Sequence, residues 1–159
     1  MDKSFKKLSS ANSSIIMEGL EEIDAAVTRG TSNDNLPIMF DAVTSLFYID
    51  AFDRPDLRTA IEKALDTVAK MGAAAIPLVF EKVTDSDIKA ELNFGRACGL
   101  MNEEAIAPLL KILSSKGGSP EIAFALYALG KIKSPKIVAA LQPVLEKVNS
   151  PQKECEDTA

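Results

Sequence analysis

Histidine and tryptophan are both missing from this 159-residue chain, and cysteine occurs only twice. Without histidine the commonest metal ligand and the commonest general base are gone. Cys98 falls in a helical stretch and Cys155 in a polar tail, too different in setting for a disulfide framework or a metal site. Aromatics make up only 6% of the residues. Basic stretches are also scarce. Asp and Glu outnumber Lys and Arg 23 to 18, for a net charge of −5, which counts against binding to phosphate backbones. The one basic cluster, Lys3, Lys6 and Lys7, reads as a solvated N-terminal tail. The longest uncharged apolar stretch, Met71 to Phe80, is about half of what crosses a bilayer. No apolar run follows the basic start, so no signal peptide is expected. No stretch alternates apolar and polar residues, and no strand is expected. These absences point to a soluble protein in a reducing, cytoplasmic setting, with no membrane and no nucleic-acid partner.

What the chain does have is small and aliphatic apolar residues, 47% of the total with Cys and the aromatics included, and a repeat. Ile76, Phe80 and Val83 form an apolar triplet at i, i+4 and i+7, which lies on one helical face. Ile106, Leu110 and Leu113 repeat it 30 residues later, and Ile137, Leu141 and Val144 follow after 31 more. Leu36, Phe40 and Val43 make an earlier copy, 40 residues before the second. The match extends upstream. Met71, Met101 and Ile132 stand five residues before their triplets, and Val68, Cys98 and Leu129 stand eight before. Agreement at five positions in three copies marks a true repeat unit.

Each unit reads as two helices, giving eight, at 12–28, 35–50, 55–71, 73–84, 87–100, 103–115, 120–132 and 135–149. Ser119-Pro120 and Ser134-Pro135 place a capping hydroxyl before a first-turn proline. Asn102 is expected to cap the sixth helix, with Glu103 and Glu104 facing its positive end. Gly72 suits a tight turn, and the polar segment 29–35 accounts for the longer first spacing. Residues 1–11 and 150–159 are expected to be flexible ends around one domain, 12–149.

The stretch Ala125-Leu126-Tyr127-Ala128-Leu129-Gly130-Lys131-Ile132, followed by Ser134-Pro135-Lys136-Ile137-Val138-Ala139-Ala140-Leu141, resembles a HEAT-like repeat. It is most similar to the bacterial type first described in phycobilisome lyases, with its A-L-G-x-I/L element and short polar turn. Weaker copies occur at Ala97–Leu110 and Val68–Val79. The resemblance implies an all-α solenoid of four HEAT-like helix pairs wound into a right-handed superhelix. The repeat type occurs in lyases, adaptors, DNA glycosylases and scaffolds, so it does not choose a function.

The residues themselves offer no catalytic constellation, and neither cofactor nor metal is expected. Glu21-Glu22 and Glu103-Glu104 are adjacent on helices and diverge by about 100°. Asp85 and Asp87 fit capping at a helix start. Cys98 occupies a position that holds Val68 and Leu129 in the other copies, as a small buried hydrophobe would. Cys155 sits among acidic residues that disfavour a thiolate. A glycosylase would need a basic groove and aromatics to hold an extrahelical base, whereas Arg29, Arg54, Arg58 and Arg96 are scattered.

What remains is a binding surface. In HEAT-like solenoids the second helices line the concave side. There, opposite the buried triplets, Ile38, Leu78, Pro108 and Ala139 form an apolar ladder flanked by Asp41, Glu81, Lys111 and Gln142. The ladder either packs on the neighbouring pair or holds a protein partner. The aromatic stretch Phe47 to Arg54 offers a similar choice between interhelical packing and an interface anchor. The expected function is a non-enzymatic interaction or scaffold module. The alternative is an accessory or lyase-like protein acting on a tetrapyrrole-bearing protein. A wide apolar arc on the last helix, including Ile137, Val138, Leu141, Val144, Leu145 and Val148, leaves open a homodimer through that end.

Overall fold

A computed structural model of the chain describes residues 2–30, 33–115, 119–143 and 146. The described residues are mostly helical, with no strand among them. The α-helices are α1 (Asp2–Lys7), α2 (Ser13–Thr28), α3 (Leu36–Thr44), α4 (Arg58–Met71), α5 (Ile76–Val83), α6 (Ile88–Met101), α7 (Glu103–Ser114) and α8 (Ser119–Lys131). Residues 136–143 are helical as well. None of these helices is long and apolar enough to cross a membrane.

The first helices of the units form a row of sequential neighbours: α2 packs on α4, α4 on α6 and α6 on α8. The second helices α3, α5 and α7 pack against the row, with α3 on α4, α5 on α6 and α7 on α8. Repeat-equivalent residues share their burial. Val68, Cys98 and Leu129 are at most 1% exposed, and Thr67, Ala97 and Ala128 are fully buried. Phe94 of α6 joins the third unit to the first, stacking on Phe40 of α3 at 6.1 Å and meeting Phe47 edge-on at 5.1 Å.

Three details differ from the sequence reading. Residues 2–7 form a helix that packs on α2 where a solvated tail was expected, with Leu8 buried behind it. Gly19 allows this contact, because a Cβ there would stand 2.9 Å from the Ser4 carbonyl oxygen. Lys7 also pairs with Glu18 and Glu22. The helix expected over 35–50 ends at Thr44, whose hydroxyl donates back to the Phe40 carbonyl at 2.8 Å, and the chain tightens into a 3₁₀ turn, Ser45–Tyr48. Asn102 makes no side-chain cap and instead adopts φ 57°.

Asn102 thereby does the work of its equivalent, Gly72, at φ 69°. Each reverses the chain through a single left-handed residue, a conformation that Asn tolerates better than most side chains. The junction after α8 instead spans residues 132–135 with no positive φ, which accounts for the 31-residue spacing. Ser134 is buried there, donating to Glu103 at 3.1 Å and accepting from the Lys136 amide. The Ser119 side chain, residues 31–32 of the polar loop, Val144, Leu145, Val148 and the tail 150–159 with Cys155 lie outside the described residues.

Closeness within the row is set by small residues. A Cβ on Gly95 would stand 2.1 Å from the Tyr127 ring, and one on Gly99 2.8 Å from the backbone oxygen of Lys131. Gly130, the equivalent of Gly99 one unit on, would meet nothing within 4 Å. The two glycines therefore respond oppositely to alanine. Gly130→Ala gains helix propensity and stabilises by about 0.5–1 kcal/mol, raising Tm by roughly 1–4 °C. Gly99→Ala must part α6 from α8 and destabilises by about 1–3 kcal/mol. Thermal denaturation of the two variants checks this, and a Tm increase in both would show that the helices are not in such close contact.

Candidate functional site

On the second helices Phe40, Val43, Ile76, Val83 and Ile106 of the sequence triplets are buried, and the residue before the middle position is buried as well. Met39, Val79 and Leu109 are fully buried, while Phe80 and Leu110 are half-buried. At 100° per residue this broadens the buried stripe toward the i+3 position and narrows the opposite face. Leu78 and Pro108 are consequently half-buried, and Leu78 packs on the core. Ile38, at 54% exposure, and Ala139 are the exposed rungs. Asp41, Glu81, Lys111 and Gln142 are all exposed, and Asp41 pairs with Lys82 of α5 at 2.8 Å. The ladder is thus a mixed surface rather than an apolar strip. None of its eight residues lines the clefts described next.

The aromatic stretch divides in two. Phe47 is buried against Phe94, whereas Phe52 is 90% exposed and Tyr48 partly so. The segment carrying Phe52 runs from the 3₁₀ turn that follows α3 to a second one, Pro55–Leu57, at the start of α4. It is held from several sides. Asp50 accepts from the Phe52 amide at 2.9 Å through one carboxylate oxygen and pairs with Lys89 of α6 through the other. The Asn93 side chain donates to the Phe47 carbonyl at 3.0 Å. Arg54 forks onto Asp56 and reaches the Ala11 carbonyl at 3.1 Å. Phe52 is therefore an exposed aromatic on a tethered loop.

Beside it lies a cleft of about 350 Å³ between the outer faces of α4 and α6. Ile49, Phe52, Ile61 and Leu92 give it an apolar lining. Its charges are mostly paired: Asp50 with Lys89 at 2.6 Å, and Glu62 with Arg96 at 2.8 Å. Arg58 alone of the lining charges has no ion-pair partner among the described residues. Glu62 and Arg96 also border a second cleft, of about 510 Å³, which runs past Leu100 to Lys131 and Lys133 at the end of α8. The sequence singled out the aromatic stretch Phe47 to Arg54 as a possible interface anchor, but not the faces of α4 and α6 beside it, because attention fell on the second helices. The available signal was Phe52 itself, set between Asp50 and Asp53 just ahead of Pro55, where no helical period could bury it.

Asp50 and Lys89 are tuned to each other as an ion pair. The Lys89 ammonium holds the Asp50 carboxyl below the ordinary carboxylate value, and Asp50 in turn raises Lys89. A general acid or base would need shifts of the opposite sense. Asp87 caps α6 by accepting from the Ala90 amide at 2.8 Å. Burial pushes the Cys98 thiol up to about 12. In a Cys155→Ser background, Cys98 is expected to react with a thiol reagent only at the rate of unfolding. Full modification within seconds in native buffer would contradict that burial.

Among the described residues, Asp24 of α2 is the one buried carboxylate in the row. Burial pushes its carboxyl up, but hydrogen bonds from Lys70, Thr67 and Lys63 of α4 outweigh this and hold it below the ordinary value. Its contribution is therefore complete above the unfolded carboxylate range near pH 4 and is lost as pH falls through the depressed folded value. Asp24→Ala is expected to cost about 1–3 kcal/mol at pH 7. It should also flatten the acid limb of the stability–pH profile below pH 4. An unchanged acid limb in urea titrations would show that Asp24 is not the group responsible.

No family model, curated protein or solved structure matches this chain. The functional reading therefore rests on the residues and their geometry.

Proposed function

We propose that the chain is a non-enzymatic, cytoplasmic protein-interaction module, built as a right-handed HEAT-like solenoid of four helix pairs with α1 as an added N-terminal cap. The row of first helices with second helices packed against it supports that architecture. The partner docks across the outer face of α4 and α6, with Phe52 as its anchor. The observation that carries this reading is the 90% exposure of Phe52 on a loop tied down by Asp50–Lys89, Asn93 and Arg54. Exposing a large aromatic costs solvation, and holding it in place removes the ordering entropy that a partner would otherwise have to overcome. The ladder around Ile38 is a second docking surface, favoured by the exposure of that residue.

The test is affinity capture with the full chain, comparing wild type with Phe52→Ser and with Ile38→Glu. Phe52→Ser removes an exposed side chain and should leave Tm within about 2 °C, as surface changes do. A partner docked at the cleft is retained by wild type and Ile38→Glu and lost about ten-fold or more in Phe52→Ser, the size of an anchor truncation. Loss in Ile38→Glu alone would move the site to the ladder. Equal capture by all three proteins would sink both surfaces. Recovery of a pigment-bearing protein would favour the lyase-like alternative.

A further inference from the structure

The chain is acidic, yet the groove beside Phe52 is not. The two clefts that meet at Glu62 and Arg96 are bordered by five cations, Arg58, Lys89, Arg96, Lys131 and Lys133, against three carboxylates, Asp50, Glu62 and Asp66. The chain as a whole has 18 basic and 23 acidic side chains, so the rest of it holds 13 against 20. Two of the three carboxylates are already neutralised, Asp50 by Lys89 and Glu62 by Arg96. The charges left over are three cations, Arg58, Lys133 and Lys131, against one carboxylate, Asp66, with Lys131 lying over the Tyr127 ring at 5.3 Å. Continuing along the groove past Leu100 adds Lys70, already held by Asp24 of α2, and Glu104. From Arg58 to Lys70 the groove follows α4 for about 18 Å, the length of three helical turns or so.

From this we infer that the occupant of the groove is an acidic peptide segment of a partner protein. Its apolar side chains sit against Ile49, Phe52, Ile61 and Leu92, and its Asp or Glu side chains meet Arg58 and the Lys131–Lys133 end. The inference rests on the docking reading above and specifies the chemistry of the docked segment. A groove with an apolar floor and excess positive charge selects against basic segments by repulsion as much as it selects for acidic ones. A channel about 18 Å long with an apolar floor suits a peptide rather than a flat anionic bilayer.

The probe is an array of twelve-residue peptides in matched sets. The sets share apolar positions and carry Glu, Gln or Lys in between, and the full chain is bound to them at 50 and 500 mM salt. The Glu set is expected to bind best, with the order Glu, Gln, Lys, and to lose its advantage at high salt. Arg58→Gln should weaken the Glu set about three-fold, as expected for an exposed pair, and leave the Gln set unchanged. Arg58→Gln with Lys131→Gln and Lys133→Gln should bring the two sets level. Phe52→Ser should weaken every set. Equal binding of all sets to wild type, or a Glu preference that survives the triple substitution, would overturn the charge assignment while leaving the docking reading standing. Binding of every set unaffected by Phe52→Ser, or no binding at all, would remove both. Stronger retention on phosphatidylserine vesicles than on any peptide would replace the peptide with a membrane surface. A dimer by light scattering that Phe52→Ser dissolves would replace it with a second copy of the chain.

Discussion

Everything in this molecule hangs on how closely the first helices of neighbouring units approach one another. Each middle helix of the row has to bury apolar surface against the helix before it and the helix after it, as well as against the second helices. A wide apolar arc of small and aliphatic residues meets that demand, because the separation of two packed helices follows the size of the side chains between them. At Gly95 and Gly99 the separation reaches its limit, with α8 seated where a Cβ would otherwise be. The same device recurs at the other end, where α1 rests on Gly19. The outer grooves are a consequence. Two cylinders packed along a line leave a furrow on their far side, and its depth depends on what borders it: between α4 and α6, long charged side chains and the Phe52 loop.

Polar groups enter the row only where they tie one helix to the next. Asp24 is held by three side chains of α4, so its charge is neutralised where it is buried. Removing any single partner would leave part of that charge uncompensated, which is why such groups tend to fix the register of two helices more than they raise total stability. Glu103 plays a similar part at the surface, with its carboxyl held down by hydrogen bonds from Lys136 and Ser134 across the junction after α8. Exposed pairs such as Arg96–Glu62 contribute little to folding, but they set which charges remain available along the groove.

Much of the fold was legible in the sequence because its period is a direct image of packing. Val68, Cys98 and Leu129 recur at one position because each meets the same surroundings, and the structure buries all three alike. Gly72 announced its turn by the conformation it alone adopts freely. Asn102 did not, because its amide can either cap a helix or tolerate a positive φ, and only the neighbouring backbone decides between the two. Residues 2–7 were misread for a related reason. Their lysines look solvated in isolation, and the glycine that admits them lies in the next helix. On the second helices the triplets Phe40–Val43 and Ile76–Val83 mark the buried stripe, but its width was not legible: Val79 and Leu109 are buried too, Phe80 and Leu110 only half so, and Leu78 and Pro108 are drawn into partial burial.

The candidate site was legible only as an aromatic stretch, and the reason is physical. Whether Phe52 is core or surface depends on the path of a loop that no period governs. That path is set by contacts with residues far away in the chain: Lys89 and Asn93 on α6, and the Ala11 carbonyl ahead of α2. A free loop would fold a phenylalanine inward, since burying one is worth about 1.5–3 kcal/mol. Here Asp50 spends one carboxylate oxygen on the Phe52 amide and the other on Lys89, so the backbone that would have to swing inward is tethered at both ends. The exposure of Phe52 is thus imposed by charged and amide groups that gain their own bonds in doing so. A partner that covers the ring recovers the same apolar burial without having to order the loop, which is the physical basis for placing the site there.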